Sequence, residues 1–223
     1  MVVLEENAAD IKSLYVIVVV NPNKSSGRIF SAETLLAWHQ ELLARGGWLV
    51  VDEAFMDVTP ENSLAAYTGV PGLVVLRSLG KFFGLAGLRV GFVLAWAELL
   101  KSLQTRLGPW CIANPARWIA IQALHDTYWQ DNMRMELSER SQCLKHLLVQ
   151  AGLPVSGGTA LFQWIQTSAA REIQHQLAQQ GIWIRAFDQP ASIRFGLPLD
   201  DVDWQRLQQA LGCLDLRGVT DAA

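Results

Sequence analysis

A glycine-rich segment at residues 78–92, SLGKFFGLAGLRVGF, carries the residue types with the clearest chemical potential. Ser78 lies three residues before Lys81, and Arg89 lies eight residues after that lysine. Two cations beside a hydroxyl make a good anion site, and glycines let the backbone approach a ligand closely. A lysine that is desolvated among other cations can also lose its proton and attack a carbonyl. The alternative is a surface loop with a solvated lysine and arginine, although the apolar flanks of the segment weigh against it.

Two adjacent acids, Asp52 and Glu53, follow an apolar run in the segment WLVVDEAF at residues 48–55. A carboxylate at the end of a buried strand is unfavourable unless it is paired or hydrogen-bonded. The pattern therefore predicts either a helix cap or salt bridge, or a counter-charge for a cationic ligand.

The elements that position these residues alternate between apolar strands and an amphipathic helix. Strands are predicted at residues 14–20, 48–55, 73–79 and 91–96, and a helix from Ser31 to Arg45, with Ser31 as its N-cap. This alternation is typical of a parallel α/β sheet, in which ligands collect at the carboxyl ends of the strands. The polar residues at 21–27, 52–55 and 78–81 each follow a strand, so we expect them at that edge.

The second half of the chain predicts a smaller α+β unit. One helix is predicted from Pro115 toward His125, before this unit, and the next at 127–150 crosses into it. The unit then alternates predicted strands at 161–166, 181–187 and 192–198 with predicted helices at 169–180 and 201–213. We therefore divide the chain into a larger domain at 1–130 and a small C-terminal domain at 131–223.

Composition argues against several classes of protein. The 223 residues are 51% hydrophobic and 17% charged, with a net charge of −3, which is typical of a globular domain and not of a nucleic-acid or membrane-surface binder. The apolar run at 14–20 is too short to span a bilayer, and residues 1–10 do not have the pattern of a signal peptide, so a cytoplasmic protein is expected. Three widely spaced cysteines predict reduced, buried thiols (Cys111, Cys143 and Cys213), and the four histidines lack metal-ligand spacing.

Four motifs in a fixed order carry a family resemblance: NPNKSSG at 21–27, DEAF at 52–55, the segment at 78–92, and IRFGLP at 193–198. Together they resemble the pyridoxal-phosphate-dependent fold type I enzymes, the aspartate aminotransferase-like family. The resemblance implies an α/β, parallel-sheet large domain that binds the cofactor pyridoxal 5'-phosphate, and residues 1–130 would be only part of that domain. It also implies a small α+β C-terminal domain.

Within that family, DEAF and the RSLGKFFGLAGLR form look most like the threonine-phosphate decarboxylases of cobalamin biosynthesis. That resemblance implies decarboxylation of a small-molecule amino acid phosphate, L-threonine O-3-phosphate, to an aminopropanol phosphate. Transamination of the histidinol-phosphate aminotransferase type is the alternative, and an inactive remnant acting as a binding module is an alternative of another class. Family members also lead us to expect that an N-terminal part is missing from this chain, and that the complete protein is a homodimer.

The resemblance further implies a role for individual residues. Lys81 would bond covalently to the cofactor aldehyde, and Asp52 would pair with the pyridine nitrogen and keep it protonated. Ser78 and Arg89 would hold the cofactor phosphate. Arg194 would bind an anionic group of the substrate, which in most relatives is the α-carboxylate.

The sequence departs from the usual family pattern in the loop at 21–27 and at Phe55. The loop that normally reads NPNNPTG is NPNKSSG here, so Lys24 stands where an asparagine usually bonds the phenolic oxygen of the cofactor. Asn23 and Lys24 are nevertheless both expected to contact the cofactor. Phe55, which is also expected to contact the cofactor, occupies the place of a tyrosine found in many aminotransferases, and this favours the decarboxylase.

Overall fold

The computed structural model describes residues 2–3 and 14–215, which form two compact units. The first unit contains the described residues up to Lys24 together with Arg28–Gln130, and the second contains Ser25–Gly27 and the residues from Asp131 onward. Most of the segment at 1–10, where no signal peptide is predicted, lies outside the described residues. Within the described part of the chain, no helix has the length and hydropathy needed to cross a membrane.

A five-stranded sheet forms the centre of the first unit. Its strands, in both chain and spatial order, are β1 (Val2–Val3), β2 (Val16–Val20), β3 (Trp48–Asp52), β4 (Leu73–Ser78) and β5 (Gly91–Leu94). Alternate residues of β2, β3 and β4 enter one apolar core (Ile17, Val19, Leu49, Val51, Leu73 and Val75). Helix α1 (Ala32–Leu43) covers that core with Leu35, Trp38 and Leu42. The predicted N-cap of α1 is confirmed, because the Ser31 hydroxyl accepts a hydrogen bond from the Thr34 amide at 3.2 Å.

Strands β1 to β4 are parallel, whereas β5 runs antiparallel to β4. The expectation that all the predicted strands are parallel is therefore wrong for β5. The connection from Ser78 to Gly91 is a glycine-rich loop with one 3-10 turn at Ala86–Leu88. A parallel return usually runs through a crossover helix, whereas this loop contains only the 3-10 turn and brings the chain back antiparallel.

Three further helices follow the sheet: α2 (Ala97–Leu107), α3 (Asn114–His125) and α4 (Thr127–Gln150). The bounds of α4 are those predicted, and α3 begins one residue before Pro115. Helix α2 was not predicted. It has no buried residue in this chain.

The second unit has a four-stranded antiparallel sheet in the spatial order β6-β7-β9-β8. Its elements are β6 (Gly157–Thr159), β7 (Phe162–Gln166), α5 (Ala170–Gln179), β8 (Arg185–Asp188), β9 (Ala191–Gly196) and α6 (Asp201–Gly212). Buried residues of α4, α5, α6 and the sheet form its core, with Leu148, Ile173 and Phe195 among them. All three cysteines are exposed, so the prediction that they are buried is wrong.

Candidate functional site

The carboxyl ends of three parallel strands bring the candidate residues of the first unit to one edge of its sheet. The register aligns Val20 with Asp52, and Asp52 with Leu76 of β4. Backbone hydrogen bonds continue past the strand ends, since the Asn21 amide donates to the Asp52 carbonyl and the Glu53 amide donates to the Leu76 carbonyl, both at 2.9 Å. The loops that follow β2 and β3 therefore leave the sheet side by side.

Asp52 begins a tight turn that also carries Phe55. The half-buried Asp52 carboxylate accepts a hydrogen bond from the Ala54 amide at 3.0 Å. A carboxylate has about four acceptor sites, so this bond leaves capacity for a cationic ligand group. The Phe55 ring is buried, and Lys81 Nζ lies 5.6 Å from its centroid, within the range of a cation–π contact. That contact places Lys81 against the turn that Asp52 begins.

A cavity of about 270 Å³ lies where β4 ends, and Ser78, Gly80, Lys81 and Arg89 line it. The Ser78 hydroxyl accepts a hydrogen bond from the Gly80 amide at 3.0 Å, so its own hydrogen remains available to an acceptor. The Ser78 hydroxyl and the Arg89 guanidinium in one cavity suit a phosphate, because both donate hydrogen bonds and the guanidinium is cationic, and Lys81 lines the same cavity. The donor set therefore fits the phosphate of the cofactor expected from the sequence.

The loop after β2 carries Asn23 and Lys24 and is held at both ends. Buried Asn21 exchanges two hydrogen bonds with the Phe30 backbone: its Oδ1 accepts from the amide at 2.8 Å and its Nδ2 donates to the carbonyl at 3.2 Å. The Asn23 amide donates to the Arg28 carbonyl at 2.8 Å. Asn23 and the exposed Lys24 thus lie at the same sheet edge as Asp52.

Arg194 lies in β9 of the second unit, where the register pairs it with Arg185 of β8. Its guanidinium carbon lies 4.9 Å from the centroid of the Phe162 ring and 5.9 Å from that of Phe187, and Arg185 lies 5.1 Å from the same Phe187 centroid. Burial lowers the pKa of Arg194 below its usual value, and the Arg185 guanidinium lowers it further. Like charges that face each other across two strands are unfavourable, and an anionic ligand between them would offset that cost.

Arg185 is the candidate site residue that the sequence analysis missed. It falls inside the segment predicted as a strand at 181–187, and nothing in its own neighbours distinguishes it from a surface arginine. The available signal was an arginine in each of two successive short strands. The register of β8 on β9, which the sequence does not give, is what places these two arginines opposite each other.

Comparison with known proteins gives a consistent result. The family model described as aminotransferase class I and II matches residues 3–211. Threonine-phosphate decarboxylase from Pseudomonas aeruginosa is 51% identical over 199 residues, which cover 89% of this chain and 60% of that protein. Histidinol-phosphate aminotransferase from Buchnera aphidicola subsp. Diuraphis noxia is 30% identical over 194 residues, covering 83% of this chain and 52% of that protein. The chain thus spans between about half and 60% of the length of these curated relatives.

A solved structure matches the fold at low sequence identity. It is the histidinol-phosphate aminotransferase from Sinorhizobium meliloti in complex with pyridoxal-5'-phosphate, with a TM-score of 0.76 and 24% identity. The match covers 88% of this chain and 56% of that one. At this identity the match establishes the fold that the two chains share.

Proposed function

We propose, from the premise that this chain belongs to the aminotransferase class I and II family, that it acts as a pyridoxal-phosphate-dependent decarboxylase of L-threonine O-3-phosphate. The observation that supports this best is the cavity shared by Ser78, Lys81 and Arg89, beside the turn that Asp52 begins. Similarity to a curated threonine-phosphate decarboxylase supports the choice of substrate. The aminopropanol phosphate product and its use in cobalamin biosynthesis belong to the same proposal.

Four residues of the first unit would hold the cofactor at three of its groups. The Ser78 hydroxyl and the Arg89 guanidinium would bind its phosphate, the Asp52 carboxylate would pair with its pyridine nitrogen, and the Lys81 amine would bond to its aldehyde carbon. When bound, pyridoxal phosphate supplies an electron sink that stabilises negative charge at the α-carbon of an amino acid. Phe55 has no hydrogen-bonding group, and its buried ring instead lies 5.6 Å from the ammonium of the exposed Lys81, measured to the ring centroid.

The loop after β2 would contribute Asn23 and Lys24 to the cofactor site. The amide of Asn23 is already bonded to Arg28, so the polar contact would come from its side chain. Lys24 is exposed and carries a donor at the end of a long side chain, which suits an anionic oxygen at the rim of the site.

The second unit would bind the substrate through Arg194 and Arg185. L-Threonine O-3-phosphate carries a carboxylate and a phosphate, and each can accept paired hydrogen bonds from a guanidinium. The phosphate must anchor the substrate during decarboxylation, because the carboxylate leaves as carbon dioxide. The Lys81 amine, released from the aldehyde carbon when the substrate amine takes its place there, would then be free to return a proton to the α-carbon.

A transaminase of the histidinol-phosphate type is the second candidate, and the 30% identical Buchnera relative is the observation that favours it. The two activities differ in their need for a second substrate. Decarboxylation releases carbon dioxide from the amino acid phosphate alone, whereas transamination moves the amino group to an oxo-acid acceptor.

The experiment uses the purified full chain with pyridoxal phosphate. We expect a new absorbance band of the bound cofactor in the wild type, its loss in Lys81→Ala, and its retention in Lys101→Ala, which replaces an exposed lysine of α2. Carbon dioxide release from L-threonine O-3-phosphate without an oxo-acid would support the decarboxylase. If no carbon dioxide is released and the amino group is transferred only when an oxo-acid is present, the transaminase is favoured. If no absorbance band of bound cofactor appears, the inactive binding module is favoured.

The homodimer and the cytoplasmic location are further parts of this proposal. Light scattering on the chain loaded with pyridoxal phosphate should give twice the mass of one chain. A single-chain mass under the same conditions would contradict the dimer without bearing on the cofactor site.

A further inference from the structure

Glu53, the acid that directly follows Asp52, has no role in the proposed chemistry and is 0% exposed. Three donors surround its carboxylate: the Ser63 hydroxyl at 2.5 Å, the Leu64 amide at 2.7 Å and Arg77 Nη1 at 3.3 Å. A buried carboxylate that is paired and hydrogen-bonded in this way is tolerated, whereas one that loses its partners is strongly unfavourable.

Arg77 connects Glu53 to the strand that ends in the phosphate cavity. It lies on β4 immediately before Ser78, and it also donates to the Ser63 hydroxyl at 3.1 Å and forms an ion pair with Asp57. Successive residues of a strand point to opposite faces of the sheet, so Arg77 can pair with Glu53 on one face while Ser78 turns to the other.

The resulting network joins the two segments that carry the cofactor residues. On one side, the Met56 amide donates to the Glu53 carbonyl at 3.0 Å, which closes the turn between Asp52 and Asp57. On the other side, Arg77 holds the last residues of β4. A shift of either segment would have to break charge-assisted hydrogen bonds at a buried carboxylate, which are the strong ones.

We propose that Glu53 and Arg77 are positioning residues that fix the Asp52 turn relative to the loop of Ser78 and Lys81. The inference rests on the proposed function, since it assigns the network to the geometry of the cofactor site. Groups that bind a ligand must be held to within about 0.5 Å, and residues that orient them act without touching the ligand themselves.

The test compares the full-length wild type with Glu53→Gln, a variant of the same size that removes the charge. We expect Glu53→Gln to weaken the affinity for pyridoxal phosphate about tenfold, the lower end of the effect that outer partners have on ligating groups at metal sites. The pH midpoint of the absorbance band of the bound cofactor should also shift, because Asp52 would be displaced from the pyridine nitrogen. Both are measured at a temperature where circular dichroism shows the two proteins to be folded.

Two further variants separate positioning from folding. Ser63→Ala removes one donor to Glu53 and leaves the Arg77 ion pair, so it should weaken the affinity for pyridoxal phosphate two- to threefold. If Glu53→Gln does not fold, Ser63→Ala replaces it as the test variant. Arg171→Gln breaks the exposed ion pair with Asp188 in the second unit and should change neither the affinity nor the pH midpoint.

The outcomes distinguish this inference from the proposed function. A lower melting temperature with unchanged cofactor affinity and an unchanged pH midpoint in Glu53→Gln and Ser63→Ala would overturn the positioning role, and the cofactor site would stand. A wild type that binds no pyridoxal phosphate would overturn the proposed function and the inference with it.

Discussion

Replacing Gly27 by alanine should both destabilise the protein and weaken cofactor binding. Gly27 has a φ of +75°, and a Cβ built on it would lie 2.2 Å from the carbonyl oxygen of Gly158 and 2.3 Å from the carbonyl carbon. Both neighbouring atoms belong to the backbone, so no side chain can turn away from the new methyl group. Gly27 also ends the loop that carries Asn23 and Lys24.

The size of the effect follows from two separate terms. A non-glycine residue in the left-handed conformation costs about 1–2 kcal/mol. Contacts of a Cβ below 3.0 Å are essentially never observed, so the two backbone segments must separate by most of an ångström. Overpacking of this kind typically costs about 1–3 kcal/mol, and we therefore expect a total loss of about 2–5 kcal/mol in the free energy of unfolding.

Urea unfolding followed by tryptophan fluorescence measures this loss, and Gly46→Ala is the matched control. Gly46 has nearly the same φ, +71°, but no described atom beyond its chain neighbours lies within 4 Å of its built Cβ. It should lose only the conformational term, about 1–2 kcal/mol, and keep its affinity for pyridoxal phosphate. Equal losses in the two variants, or unchanged cofactor affinity in Gly27→Ala, would refute the argument from the Gly158 contact.

Three further predictions concern individual side chains. Arg185→Gln should raise KM for L-threonine O-3-phosphate about tenfold in steady-state kinetics, since a hydrogen bond to a charged group contributes about 1.5–3 kcal/mol; an unchanged KM would remove Arg185 from the substrate site. Arg89→Gln should weaken pyridoxal phosphate binding by at least about tenfold in a fluorescence titration, for the same reason, and equal affinity would exclude Arg89 from the phosphate site. Ser31→Ala should lower the free energy of unfolding in urea by about 1 kcal/mol, because the Thr34 amide loses its cap; no change would show that the cap is not needed.

Those parts of the fold that local patterns determine could be predicted from the sequence. The four apolar strands of the first unit and the N-cap of α1 follow from runs of β-branched residues and from a serine before a helical pattern. The family and the fold class are confirmed by the family model and by the structural match. The short strands β1 and β6 were missed, because two or three residues give no periodic signal.

The candidate site was predictable to the level of the sheet edge and no further. Residues that follow parallel strands must meet at one edge, so the positions of Asp52 and Ser78 follow from strand order. The contact of Lys81 with the Phe55 ring depends on the path of a glycine-rich loop, which residue type does not fix. The pairing of Glu53 with Arg77 likewise depends on the register of β3 on β4, and a shift of one residue would put one of them on the opposite face.

The backbone at Arg89 gives independent support to the proposed phosphate site. Among the described residues, Arg89 is the one non-glycine residue with a positive φ, at 55°, and it follows the 3-10 turn at Ala86–Leu88. A left-handed residue that is neither glycine nor asparagine costs about 1–2 kcal/mol, and glycine at this position would avoid that cost. Strained residues of this kind persist where the side chain is needed, and they cluster at ligand sites. The guanidinium lines the same cavity as Ser78 and Lys81, so the strain falls on a side chain that the proposed phosphate site requires.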